Sequence, residues 1–106
     1  KLGEIDWKKP AVEIERLIRG LNPWPSAYTG WNEKTMKIWE ADVIPQAEGI
    51  KKEAPGTIVE VTKKAFSVQT GDGLLRIGVL QIPGKKRMEA DAFLRGYPMK
   101  AGERLG

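Results

Sequence analysis

Ala11, Ile14, Leu17, Ile18 and Leu21 recur at spacings of three and four. That rhythm puts them on one stripe of a helix. Pro10 suits the first helical turn. No Ser, Thr, Asp or Asn stands directly before it, so a good side-chain cap is missing and the helix must rest on burial. Glu15 and Arg19, and Glu13 and Arg16, have the spacing of ion pairs. Gly20, Pro23 and Pro25 read as the stop. Asn22 and Trp24 each precede a proline and are pushed toward extended backbone. Trp24, Tyr28 and Trp31 read as aromatics that plug the gap between this helix and the body behind it.

After the prolines the apolar period shortens. Ala27–Trp31 reads as a short strand, Asn32-Glu33 as a turn and Lys34–Ile44 as the longest strand. Within that strand Met36 and Ile38 point one way and Trp39, Ala41 and Val43 the other, a phase change that a bulge produces. Residues 45–55 carry glycine, prolines and charges without periodicity and read as a mobile loop. Strands follow at 57–62 and 66–70, the second half-buried by its alternation. Gly71-Asp72-Gly73 is a hairpin turn. Residues 74–82 are apolar on both faces except Arg76, as in a central strand, with Gly78 marking a bend or a close approach. Met88, Ala92 and Phe93 then share the face of a short helix that Gly96 stops. The tail, with Met99 and Leu105, is expected to lie on the body.

This order predicts a mainly β fold: a small closed antiparallel barrel of the oligonucleotide-binding type, with an N-terminal helix and a short C-terminal helix. An open antiparallel sheet covered by the helices is the fallback. Residues 1–9 read as an entry linker tacked down by Ile5 and Trp7, and residues 10–106 as a single domain. The chain has 106 residues, enough for one small core. Its start at Lys1 reads as that of a fragment.

Composition removes several function classes. Cysteine and histidine are both absent. Disulfides, thiolate or imidazole metal sites and the commonest neutral-pH general base are thereby excluded. Ser26 and Ser67 have no histidine to activate them. No phosphate-binding glycine fingerprint occurs. No apolar run approaches the ~20 residues of a membrane span. No signal-peptide pattern opens the chain, and the lack of cysteine fits the cytoplasm. The chain by itself reads as non-catalytic, with no cofactor of its own.

Net charge is +4, and three of the four excess positive charges fall after residue 64. Lys85, Lys86 and Arg87 stand in a row after Gly84, beside the expected helix start, whose N–H groups favour anions. Lys63 and Lys64 occupy another turn, and Lys37 lies near a strand start. With Arg76 and Arg19 they are the candidate nucleic-acid contacts, a set of basic turns that would track a phosphate backbone. Lys51-Lys52 reads as ordinary solvated surface.

The run Arg19-Gly20-Leu21-Asn22-Pro23-Trp24-Pro25 with Ala27-Tyr28-Thr29 resembles the C-terminal domain of methionyl-tRNA formyltransferase. Ile5-Asp6-Trp7, Gly84-Lys85-Lys86-Arg87-Met88 and Phe93-Leu94-Arg95-Gly96 agree with it in order. The resemblance implies a barrel that holds initiator tRNA weakly through a basic surface. It also implies an absent N-terminal catalytic domain using 10-formyltetrahydrofolate, and residues 1–9 as the end of the linker to it. Arg19, Asn22, Pro23, Trp24 and Pro25 would be architectural, and Gly84, Lys85, Lys86 and Met88 a contact loop. Two alternatives stay open: a module of a related folate-dependent formyltransferase without tRNA, and a barrel that contacts only its own catalytic domain.

Overall fold

The computed structural model describes residues 2–49 and 51–106. The apolar stripe folds as helix α1, Ala11–Leu21, burying Ala11, Ile14 and Ile18. No side chain caps its start. The first free N–H, that of Ala11, instead donates to the carbonyl of Asp72 at 2.9 Å. The hairpin turn thus satisfies a donor that a capping residue would otherwise hold. Gly71 makes this approach possible, because a Cβ there would collide with the Lys8 carbonyl oxygen.

Gly20 is not the stop expected of it. It lies inside α1, and Asn22 is the C-cap in extended backbone. The Asn22–Pro23 and Trp24–Pro25 peptide bonds are cis. Arg19 pairs with Glu15 at 2.7 Å, while the Glu13–Arg16 pair does not form among the ion pairs of the described residues.

The strands are β1 (Ala27–Trp31), β2 (Lys34–Ile44), β3 (Ile58–Val61), β4 (Phe66–Gln69), β5 (Leu74–Gln81) and β6 (Met88–Glu89). All pairings between them are antiparallel, in the order β1-β2-β5-β4-β3, with β6 on β5. The phase change in β2 is real: the register shifts on both sides of Glu40, and Trp39 and Gly78 are the residues left without a partner. Below the shift Met36, Ile38, Leu80 and Ile82 face the core; above it Leu75 and Ile77 do, with Ala41 packed against them. Both strands turn over at the same level, which is how one long pair coils around a small core.

The expected closed barrel is not formed. β1 and β3 are the two ends of the ladder, and no strand joins them among the described residues. The chain ends occupy that seam instead. The tail reaches β3 through Ile58 N–H to Glu103 O (2.7 Å) and Gly102 N–H to Ile58 O (2.8 Å). It reaches the far side through Gly106 N–H to Gly30 O (2.9 Å). On β1, Tyr28 exchanges backbone hydrogen bonds with Gly3 and Ile5. Ile5, Trp7, Met99 and Leu105 are buried in the common core. Trp7, expected to tack the entry linker down, is 5% exposed. It lies at the seam, its indole N–H donating to Thr29 Oγ1 at 2.9 Å and its ring close to Gly56 and Gly106.

Two further expectations change. Strand β4 is buried on both faces, not one. Ser67 and Gln69 are buried like Phe66 and Val68, and Gln69 is covered from the segment before β3: it accepts from Glu53 N–H and donates to Gln46 Oε1. And Trp24 plugs nothing, being 83% exposed. The aromatic plug is Trp31, edge-on to Phe93 and Tyr97 with centroids 5.3 and 5.5 Å away. Phe93 belongs to α2, Ala90–Gly96.

Candidate nucleic-acid interface

Residues 83–87 form an exposed turn between β5 and β6. Met88 and Glu89 are strand, so the helix begins only at Ala90. The expected helix N-terminus beside the cations is therefore displaced by the β6 pairing of Met88 with Leu80. The loop's order has another source. Gln81 at the end of β5 uses both ends of its amide. Its Oε1 accepts from the Trp39 indole at 3.0 Å, and its Nε2 donates to the Lys85 carbonyl at 2.9 Å. Trp39 in turn carries Arg87, whose guanidinium carbon lies 4.8 Å from the ring centroid. Lys37 sits opposite Gln81 in the β2–β5 register and lines a cleft with Thr35, Ile82, Pro83 and Gly84. Lys37, Lys85, Lys86 and Arg87 thus share one region, and among the described residues none of them pairs with a carboxylate.

A second cluster gathers at the β3–β4 turn. Lys63, Lys64 and Arg76 line a cleft with Glu60, Thr62 and Ser67. The turn is shaped by Thr62, whose Oγ1 accepts from the Lys64 and Ala65 N–H groups. Arg76 is already engaged, at 3.1 Å from Asp42 across β2 and β5. Arg76 and Gln81 are five residues apart on β5, about 17 Å at ~3.3 Å per residue. The two clusters therefore bracket the register shift on the outer face of the sheet. Arg19 joins neither; it lies on α1, paired with Glu15.

Sequence reasoning found the cations and missed Trp39 and Gln81. The one available signal was the phase change at Trp39, which marks a residue released from the core alternation. Asn22 was read as extended backbone before a proline, and it is extended. Its Nδ2 donates to the Ile18 carbonyl (2.9 Å) and the Trp39 carbonyl (3.1 Å), tying the end of α1 to the displaced part of β2.

Among the described residues, a six-stranded antiparallel sheet with one helix before it and one after, carrying two basic clusters on its outer face, defines a small β module. Residues 1–98 match the family model for the formyl transferase C-terminal domain, and the chain belongs to that family. It is 55% identical over 102 residues to the methionyl-tRNA formyltransferase of Agathobacter rectalis. It is 47% identical over 106 residues to that of Lachnospira eligens. These alignments cover 96% and 98% of the chain but 32% and 34% of the relatives, so the chain spans about a third of their length. The resemblance carried by Arg19–Thr29 and Gly84–Met88 stands: the similarity is to the C-terminal domain of methionyl-tRNA formyltransferase. Among solved structures, HypX from Aquifex aeolicus superimposes with a TM-score of 0.67 at 19% identity, over 94% of this chain and 18% of that one. A second HypX structure, in complex with tetrahydrofolic acid, gives 0.64 at 17% identity, over 97% of this chain and 20% of that one. At such identity the likeness is one of fold.

Proposed function

We propose that this chain is the tRNA-holding, non-catalytic C-terminal domain of a methionyl-tRNA formyltransferase acting in the cytoplasm. The observation that carries the reading is the exposed Lys85-Lys86-Arg87 turn. Its three cations lie together without a carboxylate partner among the described residues, and the turn is held in place by side-chain hydrogen bonding. Like charges in a row repel unless an anion lies near, and a phosphate backbone supplies one. Formyl transfer from 10-formyltetrahydrofolate, and the acid–base groups it needs, are assigned to an N-terminal catalytic domain of such a protein. Lys63, Lys64 and Arg76 contribute from the second cluster. Arg19, paired with Glu15 on α1, lies outside both clusters.

Contacts of this kind position an RNA without reading its sequence. With three or four phosphates neutralised, log K for tRNA falls against log salt with a slope of about −2 to −4. The test is a filter-binding titration at several salt concentrations with the parent chain and Lys85→Ala/Lys86→Ala/Arg87→Ala. A slope flattened by about two units and equal weakening for initiator and elongator tRNA support the reading. Identical slopes overturn it. A second reading, a surface for the rest of its own protein, is favoured by the exposed indole of Trp24. Parent chain that ignores RNA at all salt concentrations would favour it.

A further inference from the structure

The Lys85–Arg87 turn has a scaffold, and the scaffold points to how it works. We infer that Trp39 and Gln81 are positioning residues that turn this loop into one phosphate-binding unit for an RNA backbone. The inference rests on the tRNA-holding reading above and goes beyond it by assigning the groups that set the cations in place.

Trp39 is the residue that the β2 register shift leaves without a partner. Its ring is thereby freed from the core and turned to the outer face, half-buried. Two things then hold it. Asn22 Nδ2 fixes its carbonyl at 3.1 Å, and Gln81 Oε1 fixes its indole N–H at 3.0 Å. A ring so fixed is a platform for a cation, and Arg87 lies on it at 4.8 Å. A guanidinium drawn to a ring face by its charge uses none of its five N–H donors in that contact. Arg87 is therefore oriented yet able to grip phosphate oxygens in the bidentate way that lysine cannot. The same Gln81 amide holds the Lys85 carbonyl. One glutamine thus couples the backbone of the loop's first cation to the platform under its last.

The ligand is a chain of phosphates rather than a single one. Arg76, which lines the second cleft with Lys63 and Lys64, lies about 17 Å along β5 from Gln81 at ~3.3 Å per residue, beyond the reach of one phosphate. A linear polyanion laid across the register shift meets both clusters.

The test compares the parent chain with Arg87→Ala, Trp39→Leu, Trp39→Phe, Gln81→Leu and the double variant Trp39→Leu/Arg87→Ala. Each is titrated with unfractionated tRNA from low to high salt, and each urea midpoint is measured. Arg87→Ala reduces the salt slope by about one unit. Trp39→Leu and Gln81→Leu do the same with all three cations still present. Trp39→Phe, which keeps a ring face, recovers most of the binding. The double variant is no weaker than the worse single, because tryptophan acts through arginine. A parent slope in Trp39→Leu, or additive losses in the double variant, overturns the inference and leaves the tRNA reading standing. Should Trp39→Leu unfold, Gln81→Leu decides, and parent-like binding there overturns it. A parent chain that does not bind tRNA overturns both.

Discussion

Asn22 gives its side-chain amide to the main-chain carbonyl of Trp39, 17 residues further on, at 3.1 Å. The same nitrogen reaches the carbonyl of Ile18 at 2.9 Å. One side chain thus closes the last turn of α1 and pins β2 where its register slips. Asn22→Ala leaves both carbonyls without this donor. Because a buried group without a partner costs about 1–3 kcal/mol, the variant is expected to lose stability in that range. Equilibrium urea unfolding reads it as a lower midpoint at constant slope.

Trp24→Ala is expected to leave stability within about half a kcal/mol of the parent, the usual range for surface changes. The side chain is 83% exposed and buries little that folding could lose. Thermal and urea midpoints of the variant check this directly. A drop of several kcal/mol would mean that the indole is covered in solution.

Gly71→Ala is expected to destabilise by about 1–3 kcal/mol, the usual range for forced overpacking. The added methyl would collide with the Lys8 carbonyl. It would push the hairpin away from Ala11, whose N–H needs the Asp72 carbonyl. Hydrogen exchange at Ala11 is the sensitive probe, since that amide should lose protection before the helix interior does.

Leu105→Ala is expected to cost about 2–5 kcal/mol, as buried leucine truncations do, although it stands one residue from the end of the sequence. Leu105 is 3% exposed and its backbone N–H donates to Gly56. Leu2→Ala, at a residue 75% exposed near the other end, is the control and should be neutral. Paired urea melts of the two variants separate burial from position.

Much of the fold could be read from periodicity. The stripe from Ala11 to Leu21, the turn at Asn32-Glu33 and the central strand around Ile77 each follow from local pattern, and local pattern is what a sequence displays. The failures share a different cause. Gly20 stays helical because Asn22 supplies the cap from outside the helix. Trp24 is exposed because Trp31, Phe93 and Tyr97 already fill the space it was given. The seam stays without a strand because residues 3–5 and 102–106, expected to lie on the body but showing no strand pattern, provide its hydrogen bonds. Each outcome depends on partners tens of residues away. The cations of the candidate site were legible as a run at a glycine turn; the glutamine and tryptophan that organise them were not, since neither is charged nor part of a motif.

The seam also sets an order of events. The bond between Gly106 and Gly30 joins the last residue to the first strand, whereas the β1–β2 and β4–β5 hairpins join neighbours. Contacts so far apart in sequence carry the larger loop-closure cost and tend to form once the local ones are in place. The tail then acts as a latch applied to an almost finished body. Changes in residues 102–106 should therefore shorten the lifetime of the folded state and leave the rate of reaching it nearly untouched.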